Sequence, residues 1–352
     1  MKKVFLALLV LGVLVGAGVG GEYLWREWRM RSFATTPVTL PAPVLVEIPP
    51  GSGTKRVAWL LEEAGVVTDA GLLEVYIRRK GLLTKLQAGE YEFAETVTPE
   101  QAVEKIRAGR VKAYRFTLPE GLRAEEILPI VARSLPKLDL GRLEQLASDA
   151  GFLAELGVPA GSIEGFLFPD TYFFTSKATE ESVLTKMVSR ALEEYGRANL
   201  QRKEGVALDV LETFTLASIV EKETGAEEER PRISCVFHNR LAREMKLETD
   251  PTVLYSMRLR GVDSKNITRK DLRTEHPYNT YTVKGLPPGP IASPGAAALA
   301  AALNPQDCED LFFVSRNDGT HIFCPTRECH EAAVKEWQVE FFRKKRQPAG
   351  GQ

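Results

Sequence analysis

The sequence has no excess of charge of either sign. Its 352 residues carry 46 Lys and Arg against 47 Asp and Glu, a formal net charge of -1. That balance excludes the basic face of a nucleic-acid binder, so no nucleic acid is expected as a partner. Histidine and cysteine are scarce, with four of each. His321, Cys324, Cys329 and His330 invite a zinc reading, but their spacing matches no standard finger. No metal and no other cofactor is expected. The chain has no obvious repeat and no low-complexity tract. It also lacks a phosphate-cradling glycine loop, a P-loop lysine and a nucleophile elbow. A Ser/His/Asp triad is available by composition, but nothing in the sequence marks one.

What is present is ordinary globular material behind one long apolar run. The hydrophobic share of 44% and charged share of 26% fit a folded chain, and the length fits two or three domains. Met1-Lys2-Lys3 precedes Val4 to Gly21, which holds no charge. A bilayer needs roughly 17–25 such residues. Tyr23, Trp25 and Trp28 follow, side chains that settle at a membrane interface. A cleaved signal peptide is the rival, but the apolar region is long for one and no clear A-x-A site follows. An uncleaved single-pass anchor is therefore expected. Lys2 and Lys3 place its N-terminus in the cytoplasm and the body outside, although Arg26, Arg29 and Arg31 oppose that orientation. Outside the cytoplasm disulfides are allowed. Cys324 and Cys329 are close in sequence, and Cys308 is placed near either. Cys235 reads as a small buried hydrophobe in a helix.

Beyond the apolar run, Ser32 to Pro43 holds three prolines and few large apolar groups and reads as a linker. "VLVEI" (Val44 to Ile48) reads as a strand. Val57, Leu60, Leu61 and Ala64 recur at helical spacing and Gly65 stops that helix. Asp69 caps a second helix through Lys80, and "GEYEF" (Gly89 to Phe93) alternates like a strand. This strand-helix-helix-strand order resembles a LysM-like βααβ module, a small fold found on cell-wall proteins. A generic α+β spacer is the plainer alternative. "TPEQAVEKIRAG" (Thr98 to Gly109) carries a capping box, a first-position proline and a glycine stop. Val111 to Leu118 reads as a strand. Helices are expected near Ala124 to Ser134, Gly141 to Ala150 and Thr179 to Asn199.

The densest chemistry follows Thr213. In "LASIVEKET" (Leu216 to Thr224) a helical wheel puts Phe214 and Ala217 on the side of Glu221, with Glu223 roughly 160° away. Glu221 then stands in the last turn, partly among apolar groups and at the negative end of the helix dipole. Both effects raise a carboxyl pKa, as a general acid working near neutrality requires. Lys222 and Arg230 oppose the shift, and a solvated helix end would explain the stretch as well. Around it, "EGFLFPDTYFF" (Glu164 to Phe174) mixes aromatics with carboxylates. "HNRL" (His238 to Leu241) sits on a helix started by Pro231. "LETDPTVLY" (Leu247 to Tyr255) reads as a turn into a strand. "YNTYTVKGLPPGPIASPG" (Tyr278 to Gly295) is too rich in Pro and Gly for an interior helix or central strand and shapes a surface. Tyrosines beside Asn, Asp and Thr suit a carbohydrate.

Six stretches, "EGFLFPDTY", "LASIVEKET", "VFHNRL", "LETDPTVLY", "YNTYTVKGLPPGPIASPG" and "LFFVSRNDGTHIF", resemble in content and order the endolytic peptidoglycan (murein) transglycosylase family, the YceG-like family. The likeness runs from about Tyr114 to the end. The anchor and the LysM-like module fit the family too, and the expected organisation is α+β: anchor and flanks at 1–31, linker at 32–43, LysM-like module at 44–113, catalytic domain at 114–346 and tail at 347–352. The resemblance implies lytic cleavage of the MurNAc–GlcNAc bond in nascent glycan, with 1,6-anhydroMurNAc ends and termination of strand growth. Glu221 is implied as acid and base. Glu164, Asn239, Asp250, Tyr278, Asn279 and Thr280 are implied as groove residues, although Asp250 and Asn279 are equally suited to capping turns. Peptidoglycan, the bacterial inner membrane and the elongation synthases are the implied partners. Cys324 and Cys329 depart from the family pattern, and a local disulfide is the mild explanation. Two rivals remain. One is a hydrolytic muramidase with Glu164 or Asp170 as second carboxylate. The other is a membrane-anchored wall-binding protein without activity.

Overall fold

The computed structural model describes the backbone of residues 2–82 and 84–346, and side chains at residue 14 and over 16–343, residue 83 excepted. The expected tail at 347–352 lies outside the described residues. Two compact units divide between Tyr114 and Arg115.

The first unit contains α1 (Lys2–Thr35), β1 (Val38–Thr39), β2 (Val44–Ile48), α2 (Thr54–Glu63), α3 (Ala70–Arg79), β3 (Gly89–Phe93), β4 (Thr96–Val97) and α4 (Pro99–Arg107). Most side chains of the uncharged Val4 to Gly21 run lie outside the described residues. Among the described residues, no helix is long and apolar enough to cross a membrane. The expected strand-helix-helix-strand order is present. β2 and β3 pair antiparallel, Val44 opposite Phe93 and Ile48 opposite Gly89. Their alternation sends Val46, Ile48, Tyr91 and Phe93 inward, onto Leu61, Leu73, Ile77 and Ile106. The caps form as the residue types require: Asp69 accepts from the Leu72 amide at 2.8 Å, and Thr98 and Gln101 close a capping box.

The linker reading of Ser32 to Pro43 is corrected. α1 runs on to Thr35, Val38–Thr39 pairs with Thr96–Val97, and Met30, Ala34 and Leu40 enter the core. Pro37, Pro41 and Pro43 sit beside a two-residue edge strand, a place where a missing N–H costs little.

The second unit takes in most of β5 (Tyr114–Thr117), then α5 (Ala124–Ser134), α6 (Leu140–Leu146), α7 (Ala150–Glu155), β6 (Thr171–Phe174), α8 (Glu180–Asn199) and α9 (Val210–Glu223). α10 (Arg230–Ala242), α11 (Asp250–Leu259), α12 (Arg269–Arg273), α13 (Ala296–Leu303), β7 (Phe312–Ser315), β8 (His321–Cys324), α14 (Arg327–Val334), a π-helical turn and α15 (Phe341–Arg346) complete it. β5 pairs with β6 and β7 with β8, so the fold is α+β with helices dominant.

α9 is the centre of this unit. Asp209 and Glu212 cap it reciprocally, at 2.8 and 2.9 Å. Every residue from Thr213 to Val220 is buried, so the helix is enclosed on all sides. The alanine-rich α13 lies against α8, α9 and α10, where small side chains permit close approach. The Pro/Gly loop crosses the C-terminal part of α9, and Ser218 accepts from the Ile291 amide at 3.0 Å. Gly165 is at φ +83°, and a Cβ there would lie 2.3 Å from Pro290. Only glycine lets that loop and the "EGFLF" turn meet.

Two further expectations are overturned. Leu247 to Tyr255 is not a turn into a strand: Thr249 is the N-cap and Pro251 lies in the first turn of α11. Cys235 is not a free buried thiol. It is disulfide-bonded to Cys308, which joins α10 to the segment before β7. Cys308 therefore pairs with neither Cys324 nor Cys329, which form the expected local bridge with each other.

Candidate active site

α9 ends at Thr224, whose backbone turns extended, and its last two glutamates leave in different directions. The Glu221 side chain is 6% exposed. Its Oε1 accepts from Arg230 Nη2 at 2.9 Å and its Oε2 from the Gly295 amide at 3.1 Å. Burial raises its pKa, while the Gly295 amide and Arg230 pull the other way. Arg230 also reaches Glu120 at 3.2 Å. A Cβ on residue 295 would lie 1.8 Å from a Glu120 oxygen, so glycine there keeps the cluster closed. Lys222 donates to the Gly121 carbonyl at 3.0 Å. Glu221 thus ties α9 to the start of α10 and to the Pro/Gly loop.

Glu223 opens on space instead. It lines a cleft of about 710 Å³ with Arg240, Glu248, Asp250 and Tyr281 on one side, and with β7, β8 and α14 on the other. Thr249 Oγ1 donates to its Oε1. Burial pushes its pKa up to about 7, with nearby Asp250 adding to the rise and Thr249 and Arg240 opposing it. A carboxyl raised that far can hold a proton near neutrality, which suits one group acting as acid and then as base. Asp250 accepts from Tyr281 Oη at 2.7 Å. Arg240 is fixed by carbonyls of Leu311 and Leu247 at 2.7 and 2.8 Å, so its positive charge is held at the cleft. Among the described residues, no cluster of His, Cys, Asp and Glu is arranged to hold a metal.

Of the residues expected in the groove, Asp250 lines this cleft. The others are set apart from it. Glu164 accepts from the Ala124 and Gly165 amides at 3.1 and 3.2 Å, and burial pushes it up to about 7. It serves the N-terminus of α5 and takes a longer contact, 3.4 Å, from Tyr255. Tyr278 is half-buried against Tyr255, ring centroids 4.9 Å apart. Asn239 donates to the Cys308 and Asp310 carbonyls, both at 3.0 Å. Asn279 is fully buried and donates to the Asp271 and Thr274 carbonyls, closing α12. Thr280 shares a hydrogen bond with Thr252 at 2.8 Å and accepts from the Thr249 amide, a step behind Glu223. Asp170, although partly buried, is held low in pKa by Arg190 at 2.9 Å. Neither Glu164 nor Asp170 lines the cleft.

A helical wheel puts Glu223 on the outer face, away from Glu221, and the resemblance implies Glu221 as the acid, but it is Glu223 that meets the cleft. The missed signal lay in the same stretch: a helix apolar on every face is buried all round, so its outer side meets other walls of the protein rather than solvent. Arg240, Tyr281 and His321 were each visible in the sequence, but only the tertiary fold brings them to Glu223.

The YceG-like family model matches residues 46–336. A curated relative named "Endolytic murein transglycosylase" from Bacillus subtilis is 28% identical over 336 residues, covering 91% of each chain. One of the same name from Streptococcus pneumoniae is 27% identical over 372 residues, covering 96% of this chain and 65% of its own length. A solved structure described as a putative yceG-like protein from Listeria monocytogenes is similar at a TM-score of 0.54 and 32% identity. It covers 82% of this chain and 98% of its own. With a match across most of its length, this chain belongs to the YceG-like family.

Proposed function

We propose that this protein is an endolytic lytic transglycosylase that cuts the MurNAc–GlcNAc β-1,4 bond of nascent peptidoglycan and leaves 1,6-anhydroMurNAc ends. The names of its relatives support the reaction class. The single observation that carries the mechanism is Glu223, whose carboxyl faces the cleft with its pKa pushed up to about 7. Geometry favours Glu223 as acid and base over Glu221, whose two oxygens are already taken by Arg230 and Gly295.

In this reading protonated Glu223 gives its proton to the glycosidic oxygen as the C1–O bond breaks. The muramic C6 hydroxyl forms the new bond to C1, and its proton passes to the Glu223 carboxylate. The acid is thereby restored and no water is consumed. Because the nucleophile is attached to the substrate, a high effective molarity replaces the second carboxylate of a hydrolase. Arg240 offers N–H donors to sugar oxygens in the cleft, while Tyr281, whose O–H is committed to Asp250, offers its ring and its hydroxyl oxygen as acceptor. Asp250 in the same cleft keeps a hydrolytic reading open, with Asp250 activating water.

The rest of the reading is a single-pass anchor at the N-terminus and a body outside the cytoplasm, where cutting ends the growth of strands made by the elongation synthases. The charge-free Val4 to Gly21 run supports the anchor. Two disulfides support an oxidising compartment. The βααβ module is read as LysM-like and glycan-facing.

The test is product mass. Peptidoglycan incubated with the full chain should yield anhydro-ended fragments, one water lighter than the reducing-end fragments of a muramidase. Glu223→Gln should yield none. Activity lost in Glu221→Gln but kept in Glu223→Gln would return the catalytic role to Glu221.

A further inference from the structure

We infer that His321 is a substrate-binding residue of this cleft, accepting a hydrogen bond through Nε2 from an O–H or N–H of the glycan. The inference rests on the reading of the cleft as the glycan site.

His321 begins β8 and lines the same cleft as Glu223. Its Nδ1 lies 2.7 Å from Glu229 Oε2, and its backbone N–H donates to Glu229 Oε1 at 2.9 Å. A carboxylate can only accept, so in the neutral imidazole the hydrogen sits on Nδ1 and the lone pair on Nε2. Nε2 has no protein partner among the described residues, and it is not among their buried, unpartnered atoms. The ring cannot wander. Phe313 packs edge-on at 5.4 Å and Phe323 at 6.3 Å, and the side chain is only 9% exposed. A ring with one nitrogen anchored, the other unpartnered and its faces packed is a pre-set acceptor.

The chain path adds a second reason. Glu229 ends the short 3-10 turn Glu227–Glu229 that leads from the end of α9 into α10. A few residues after Glu223, the same connection therefore grips the opposing strand.

Glu223→Gln in the full chain provides a background in which glycan is bound without being cut. Its affinity for isolated glycan strands is measured, then measured again with His321→Ala, His321→Gln or Glu229→Gln added. A lost hydrogen bond of this class weakens binding about 5- to 10-fold. His321→Ala and Glu229→Gln should each show such a loss, and His321→Gln, which keeps an acceptor at the end of its side chain, should recover part of it. Unchanged affinity in His321→Ala overturns the inference alone. Absence of any glycan binding by the Glu223→Gln parent overturns the substrate reading and this inference with it. Should the alanine variant fail to fold, nitrogen NMR of the unaltered imidazole decides. The Nε2 signal should shift on adding glycan, and a signal that does not move overturns the inference.

Discussion

In the reaction proposed for this protein, two carboxyls of one helix end divide the work of chemistry and structure. Glu223 faces the cleft, so Glu223→Gln should lower anhydro-product formation by about 100-fold or more, the range of general acid–base catalysis, without lowering the unfolding midpoint. Glu221 faces Arg230 and the Gly295 amide, so Glu221→Gln should retain chemistry but cost about 1–3 kcal/mol in denaturant unfolding, by weakening a buried charged pair. The rate should also fall as pH rises through about 7, as Glu223 loses the proton it must donate. Glu164 makes a separate prediction. Its pKa rises from 4.5 to about 7 on folding, so the folded state holds a proton that the unfolded state releases between those values. Its contribution is full below about 4.5 and is lost as pH rises through about 7. Glu164→Gln should therefore remove roughly 1–3 kcal/mol of the stability lost between pH 5 and pH 8, measured by denaturant unfolding at each pH.

At the scale of elements, the two disulfides differ in what they constrain. Cys235–Cys308 closes a separation of 73 residues and Cys324–Cys329 one of 5. Chain entropy assigns about 4 kcal/mol to the first and about 2 to the second. Replacing Cys235 and Cys308 by serine should thus lower the melting temperature of the second unit more than replacing the other pair. It should also reduce activity, because Asn239 and the bridge together hold the approach to β7, a wall of the cleft. Much at this scale was legible in the sequence. Thr98 with Gln101 and Asp69 announced their helices, because a cap is a local hydrogen bond and needs no tertiary partner. α11 was not legible. Its β-branched Thr252 and Val253 and its opening proline read as extended chain, yet Thr249, Thr252 and Thr280 join in a buried polar cluster that holds the segment as helix. The stretch after α1 misled in the other direction, since proline content says nothing of a pairing with Thr96–Val97 nearly sixty residues away.

At the scale of the whole molecule, the six motifs carried the family, and neither they nor the wheel could say which glutamate faces the cleft. That choice depends on segments brought together from distant parts of the chain. The proposed anchor gives a prediction of its own. The full chain should stay with membranes through alkaline carbonate extraction, and a chain lacking residues 4–21 should be released. Deletion must stop short of Met30, which belongs to the core of the first unit. The cleft itself has a consequence in time. One wall is the end of α9, and the other is β7, β8 and α14, close to the C-terminus. A ribosome delivers Glu223 about a hundred residues before it delivers His321. The cleft around Glu223 is therefore complete only once the last strands of the chain have been made and have folded back onto the end of α9.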